Sequence, residues 1–334
     1  MTVRRLGALV LALTPAVTAA HHGVASLGAA GLEGPGAPVV TSSAAPLPKG
    51  SGLLYLKADY ADYETFTSAR DRESDYDLFS MAGVGYGFTS WFSAYAFLPY
   101  NVKSVESGAD TPGDGSKDQQ GFADISFTGV LAFKYDEGLK LAPERESLDD
   151  LEDWHFSAYG GFSIPTGDAN ALDDSGAIDP GQATGFGAPS FSVGLTSSKQ
   201  LTDRDTWVSE LSYLWFMENE YDDGSTLRFG PELRLNTAWV RKLHADADTK
   251  LRLDGVIEAN YLSLGRDKED GRGADTTGGQ ILYLTPGVRL YKDRFSIAVG
   301  VMLPAWKDLN EEGDQQGSEG LEDYRLVGTF SYLF

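Results

Sequence analysis

The 334-residue chain carries 49 acidic against 27 basic residues, a formal charge of −22, and no cysteine. The lack of thiols excludes a disulfide scaffold and a thiolate metal centre, and the acidic balance excludes a nucleic-acid partner, because phosphate contact needs clustered Lys and Arg. One large β-barrel or two ordinary domains would fit the length, and 16 Tyr, 17 Phe and 6 Trp can serve either a core or a lipid-facing belt.

Arg4 and Arg5 precede the apolar run Leu6–Leu13, Pro15 interrupts it, and Val17-Thr18-Ala19-Ala20 supply small residues. That order reads as a signal peptide over 1–20 that directs Sec export. The run is too short for a spanning helix, which needs roughly 20 apolar residues. An exported chain without helical spans is either soluble or a membrane β-barrel. Residues 21–50 are rich in Gly, Ala, Pro and Ser without a sustained period, and read as a flexible periplasmic lead-in.

From Ser51 onward, segments of alternating polarity recur between turns rich in Gly, Asp, Asn and Ser. They predict twelve strands near 52–64, 75–88, 91–103, 121–135, 153–165, 186–199, 206–218, 226–242, 249–264, 278–291, 294–306 and 321–334. In the last of these, Tyr324, Leu326, Gly328, Phe330, Tyr332 and Phe334 share one face, with Arg325, Val327, Thr329 and Ser331 opposite. A soluble sandwich would turn the apolar row inward; a membrane barrel turns it toward lipid and the charges toward the lumen.

Three features favour the barrel. Short turns near Gly87–Ser90, Leu201–Thr206, Leu243–Thr249 and Tyr291–Arg294 contrast with long polar loops at 104–120, 168–185, 265–277 and 307–320, as barrel insertion produces. All six Trp (Trp91, Trp154, Trp207, Trp215, Trp239 and Trp306) fall near predicted strand ends, where an interfacial girdle sits. The terminal Ser331-Tyr332-Leu333-Phe334 resembles the aromatic signal read by the outer-membrane barrel-assembly machinery. The predicted fold is therefore an all-β, 12-stranded antiparallel transmembrane β-barrel over 51–334, in the outer membrane of a Gram-negative bacterium. The connection 136–152 is long for a periplasmic turn, and Ser147 with Asp149 and Asp150 suggests a short capped helical turn there.

Several short runs resemble landmarks of one family: Tyr86-Gly87-Phe88-Thr89 leading to Phe97-Leu98-Pro99-Tyr100, Gly121-Phe122-Ala123-Asp124, Ile164-Pro165-Thr166-Gly167-Asp168, Gly278-Gly279 leading to Tyr283-Leu284-Thr285-Pro286-Gly287-Val288-Arg289, and Leu303-Pro304 before Leu309-Asn310. The chain is similar over most of 52–334 to the putative meta-pathway of phenol degradation family of outer-membrane proteins, commonly labelled transporters. The resemblance implies an outer-membrane barrel that passes aromatic or other small organic compounds. It carries over no catalytic or ligand residue.

Parity places Lys57, Asp59, Asp77, Asp124, His155, Glu210, Arg228, Glu232, Arg234, Arg252, Asp254, Glu258, Arg289 and Arg325 on the less apolar faces, hence in the lumen. There they either select solutes by charge or pair across a narrow interior and fill it. Arg234 and Arg252 with Glu232 and Glu258, on neighbouring strands, form the expected network. A hydrolytic barrel would need a Ser nucleophile beside a His base; His155 and His244 lack that setting, so no enzyme is predicted. The acidic runs Glu218–Asp223 and Asp267–Asp270 read as solvated loops rather than cation sites, and Gly83-Val84-Gly85-Tyr86-Gly87 as a strand with a close-packed face. His21 and His22 are a separate candidate. Cleavage after Ala19 or Ala20 leaves an amine and imidazole that suit Cu²⁺ or Ni²⁺, against the alternative of two incidental histidines in a flexible lead-in.

The functional expectation is a passive outer-membrane channel for small solutes, aromatic or other organic compounds, with no cofactor, its partners being outer-membrane lipids, the assembly machinery at Phe334 and the solutes. The alternative is a closed structural or interaction barrel whose acidic loops contact other molecules.

Overall fold

Strands that expose one apolar face to lipid must satisfy every backbone N–H and C=O within the protein, which a sheet achieves only by closing on itself. The computed structural model describes residues 35–63, 72–107, 117–144, 152–172, 176–310 and 322–334. The expected signal peptide, His21 and His22, and the capped turn at Ser147–Asp150 lie outside the described residues.

The elements run β1 Gly52–Tyr63, β2 Arg72–Gly87, β3 Phe92–Ser107, β4 Lys117–Phe122, β5 Ile125–Tyr135, β6 Leu139–Leu141, β7 Trp154–Ile164, β8 Ser190–Gln200, β9 Asp205–Phe216, β10 Asn219–Glu220, β11 Thr226–Arg228, β12 Glu232–Asp246, β13 Leu251–Leu264, β14 Lys268–Glu269, β15 Arg272–Gly273, β16 Gly279–Lys292, β17 Phe295–Leu309 and β18 Glu322–Leu333. Both β4 and β5 pair with β3, so they form one wall strand broken at Ala123-Asp124. Counting them together, twelve antiparallel strands form the wall, and β1 closes it by pairing with β18 (Leu53↔Leu333) as well as β2 (Leu53↔Gly85).

The alternation expected of each strand is present. Val84, Leu211, Ile257 and Val299 project outward and are exposed, while Lys57, Glu210, Glu258 and Arg289 on the opposite parity are buried. Leaving such apolar side chains in water would forgo about 1.5–3 kcal/mol each, so a lipid surround is what makes this face stable. Trp91, Trp154, Trp207 and Trp239 lie toward the end with the short turns, and Trp215 and Trp306 toward the other, forming two interfacial bands. By the loop-length rule the short-turn end, which also carries Gly52 and Phe334, faces the periplasm.

Four details depart from the sequence reading. The predicted strand 226–242 is split: β11 leaves the wall to join β10, β14 and β15 in a small extracellular sheet, so Arg228 is exposed there and not in the lumen. The break falls at Gly230-Pro231, where proline offers no ladder donor and a Cβ on Gly230 would lie 1.9 Å from the Gly265 carbonyl oxygen. The predicted strand 186–199 starts only at Ser190, because 186–189 belong to a loop that descends into the barrel. In the 136–152 connection, β6 folds back on β5 (Phe133↔Leu141) and extends the wall on the periplasmic side. The largest departure is the lead-in: residues 36–48 run inside the barrel, with Ala37, Val39, Thr41, Ala44 and Leu47 at 1% exposure or less.

The protein is expected to require detergent, to give a β-type circular dichroism spectrum and to change mobility on gels when heated. A mature chain soluble without detergent would contradict the lipid-facing assignment.

Candidate functional site

Two residues apart on a strand means the same face, and the lumen charges exploit this. Lys57 pairs with Asp59 (3.0 Å), Arg234 with Glu232 (2.6 Å) and Arg252 with Asp254 (2.8 Å), each pair within one strand. Arg325 reaches both Glu322, three residues away, and Asp59 at 3.5 Å on the neighbouring strand. Asp77 accepts a hydrogen bond from the Tyr63 hydroxyl at 2.5 Å. His155 is half-buried at the periplasmic end, its Nδ1 3.1 Å from the Asp153 carbonyl oxygen. The expected joint network of Arg234 and Arg252 with Glu232 and Glu258 is therefore not what forms; Glu258 has another occupant.

That occupant is the chain's own segment 36–48. Chain direction and contacts show a loop with both ends at the periplasmic mouth. Leu47 donates its N–H to Ser93 Oγ (3.1 Å) beside the β2–β3 turn. At the other end, Gly36 N–H reaches Thr206 Oγ1 (2.9 Å), and Ala37 N–H reaches the Tyr291 hydroxyl (3.1 Å), near the turns that precede β9 and follow β16. Its apex, Thr41-Ser42, sits deeper. Glu258 accepts the N–H groups of Val39 (2.6 Å), Val40 (2.9 Å) and Thr41 (2.8 Å) and the Thr41 hydroxyl (2.6 Å). Glu210 accepts the Ser42 N–H (3.0 Å) and hydroxyl (2.6 Å), the Tyr159 hydroxyl (2.6 Å) and Asn236 Nδ2 (3.0 Å). Arg289 donates to the carbonyl oxygens of Ala37 and Pro38. The segment has no ladder of its own, so wall side chains supply partners that a strand would find in a neighbour.

Shape complements this polarity. Inward-facing glycines leave room where the plug touches the wall: a Cβ on Gly87 would lie 2.3 Å from the Pro48 carbonyl oxygen, one on Gly85 3.1 Å from Leu47, and one on Gly287 2.8 Å from Val39. The Gly83–Gly87 run is thus partly a seat for the plug. Sequence reasoning missed the segment because it has no period; the glycines at inward parity were the available signal.

From the opposite side, the loop between β7 and β8 descends into the lumen, and Asp124 holds both its ends. Its Oδ1 accepts the N–H groups of Thr166 (3.0 Å) and Gly167 (2.9 Å), and its Oδ2 that of Phe186 (3.0 Å). Asp124 is therefore a loop clip, and it also lines the adjoining lumen cavity. Lys103 donates to the Gly181 carbonyl oxygen and Asn101 Nδ2 to that of Thr184 (3.4 Å). Beside this loop lies a cavity of about 100 Å³, lined by Phe79, Met81, Phe97, Asn101, Tyr159 and Phe186 among others. Among the described residues no group of three or more His, Asp or Glu is arranged to hold a metal ion. Outside the membrane, burial raises the carboxyl of Asp267, with the nearby Glu269 charge adding to the effect, although it accepts the Gly230 N–H at 2.7 Å.

The sequence matches, over residues 73–304, the family described as "Putative MetA-pathway of phenol degradation". The chain belongs to that family. Among solved structures, it is similar to the COG4313 outer membrane channel from Pseudomonas putida F1, with a TM-score of 0.64 and 12% identity, covering 87% of this chain and 98% of that one. A Pseudomonas aeruginosa FadL homologue aligns at a TM-score of 0.40 and 12% identity, covering 93% and 98%. No curated protein matches the sequence. At these identities the likeness concerns the fold, a Gram-negative outer-membrane barrel. In this phenol-degradation family member, the two landmarks Gly121–Asp124 and Ile164–Asp168 meet at the Asp124 clip, and Thr285–Arg289 forms part of the plug seat.

Replacing Asp124 with Ala removes three charge-assisted hydrogen bonds, each worth about 1.5–3 kcal/mol. Proteinase K is expected to cut D124A within 165–189 at least about tenfold faster than the parent, with heat-dependent gel mobility retained; an unchanged cutting rate would refute the clip.

Proposed function

We propose that this protein is an outer-membrane channel for small organic solutes that rests closed, and that it opens when residues 36–48 withdraw toward the periplasm. The observation that carries the reading is the seating of the plug apex on Glu210 and Glu258. Both carboxylates are buried, and among the described residues neither lies within ion-pair distance of Lys or Arg. Their charges are balanced by N–H and O–H donors alone, most of them from the plug. Such a seat is reversible, because water can replace those donors once the lumen fills. Solutes would then diffuse past the intrastrand ion pairs, which stay paired whether the plug is in or out. The family's phenol-degradation description agrees with small organic cargo.

The open state has a charge signature. Withdrawal leaves two carboxylates without compensation at mid-lumen, which attracts cations. Deleting residues 36–46 is expected to raise single-channel conductance in planar bilayers and make the channel cation-selective, and adding Glu210→Gln and Glu258→Gln should remove that selectivity. With the plug intact, E258Q exchanges charge-assisted bonds for neutral ones, a loss of about 1–2 kcal/mol that corresponds to roughly a 5–30-fold larger open fraction. A barrel that stays non-conducting after the deletion is a closed structural barrel, and the channel reading fails.

Phe334 stacks on Tyr332 (centroids 6.0 Å apart), which stacks on Phe295 (4.7 Å). We propose that this exposed aromatic end is the segment presented to the assembly machinery. Deleting Phe334 should lower the inserted amount several-fold; normal outer-membrane levels would contradict it.

A further inference from the structure

The lumen cavity contains a buried acceptor that nothing satisfies. Asn101, on the inward face of β3, is 3% exposed and lines the cavity beside the β7–β8 loop. Its Nδ2 donates to the Thr184 carbonyl oxygen, which can only accept, so the amide orientation is settled by its partner. The Oδ1 of the same amide has no hydrogen-bond partner. Leaving a buried acceptor unpaired costs about 1–3 kcal/mol, a cost that a bound donor would remove. The lining is mixed: Phe79, Phe97 and Phe186 contribute rings and Met81 a thioether, beside polar residues that include Asp124, Glu232 and several Ser and Thr. Several of these polar groups are already engaged: Ser163 and Ser190 with each other at 2.7 Å, Tyr159 with Glu210, Glu232 with Arg234, and Asp124 with three backbone N–H groups. Among the described lining residues, Asn101 Oδ1 is the buried side-chain acceptor left without a partner.

Size narrows the occupant. At about 100 Å³ the cavity is of the order of the apolar cavity of roughly 150 Å³ that admits a benzene ring, so it holds one ring and not two. Aromatic side chains offer faces and edges to such a ring, and methionine sulfur adds a favourable contact at its edge. Among the described residues no cation lines the cavity apart from Arg234, which is committed to Glu232, so an anionic ligand would be disfavoured.

We propose that this cavity is a binding site for one uncharged aromatic ring that carries a single hydroxyl or amino donor, with the donor on Asn101 Oδ1 and the ring among Phe79, Met81, Phe97 and Phe186. The proposal rests on the solute-channel reading and adds to it a discrimination: a ring that donates is held, and a ring of the same size that only accepts is not. Net hydrogen-bond energies of this kind correspond to about a tenfold preference.

The test measures binding without transport. Full-length protein with its plug is titrated with 4-fluorophenol, 4-fluoroaniline, 4-fluorotoluene and 4-fluoroanisole by fluorine NMR. Partition into the detergent is subtracted using Met81→Trp, which fills the cavity. The first two ligands are expected to bind saturably, about tenfold more tightly than the last two. Asn101→Leu should abolish that preference and leave fluorotoluene binding unchanged or tighter, a reversal that simple misfolding cannot mimic. Equal affinity of the parent protein for donor and non-donor rings overturns the proposal, as does the absence of saturable binding of any of the four. Conductance of the plug-deleted barrel is scored separately, so a conducting barrel that does not discriminate rings refutes the site alone, whereas a silent barrel that binds them refutes the channel.

Discussion

A carboxylate held inside a narrow barrel must collect hydrogen-bond donors, and Glu258 finds four of them on three consecutive residues of its own chain, Val39 to Thr41. The interaction works in both directions. An irregular segment inside a protein carries N–H groups that lack partners, while a buried carboxylate carries lone pairs that lack donors; each would be costly alone. Glu210 repeats the arrangement one residue further along, at Ser42. The plug could not sit where it does without these two side chains, and they could not be buried in their present form without the plug.

The wall is shaped around this contact. Closing twelve strands leaves an interior of intermediate width, and side chains of ordinary size at every inward position would fill it. Gly85 and Gly87 on one side and Gly287 on the other instead leave space for Leu47, Pro48 and Val39. Lys57, Arg234 and Arg252 fold back onto carboxylates two residues away in the same strand, while Arg325 bridges Glu322 and Asp59 and Arg289 holds plug carbonyls. Arg252 is buried yet held at two points by Asp254, and such a pair is costly to break but neutral toward what passes it. The lumen thus contains charges paired within the wall, and Glu210, Glu258 and Arg289, which find partners on the segment 36–48.

Strand parity was legible because lipid and lumen impose opposite polarity on successive residues, so Lys57, Glu210, Glu258 and Arg289 lie on the buried parity that their numbering implied, whereas the role of Asp124 as a loop clip was not legible from numbering. Arg228 failed because parity presumes that a strand continues, and Gly230-Pro231 ends that continuity. The plug was illegible for a different reason: most of its partners lie about 170–250 residues away in the sequence, and a segment stabilised by side chains from elsewhere needs no period of its own. Composition alone made it look like a tether. The family landmarks were legible as patterns but not as contacts; only the fold shows that Gly121–Asp124 and Ile164–Asp168 are two halves of one clip.

The geometry of the plug also limits the route that the proposed withdrawal would take. A segment that crossed the lumen from one mouth to the other would have to thread past the loop clipped by Asp124. This one turns at Thr41-Ser42 and returns, with Gly36 and Leu47 both near periplasmic turns, so it can be drawn out as a folded-back strand without passing the cavity. Tyr159 lies at the junction: its ring lines the cavity and its hydroxyl shares Glu210 with Ser42. Gly194 provides the room for that ring, since a Cβ there would lie 2.2 Å from Tyr159 Cζ. A displacement of the ring toward the cavity or away from it therefore changes how many donors Glu210 retains, and through Glu210 how firmly the apex is held. On the channel reading proposed above, this one side chain would couple occupancy of the chamber to retention of the plug without any movement of the barrel wall.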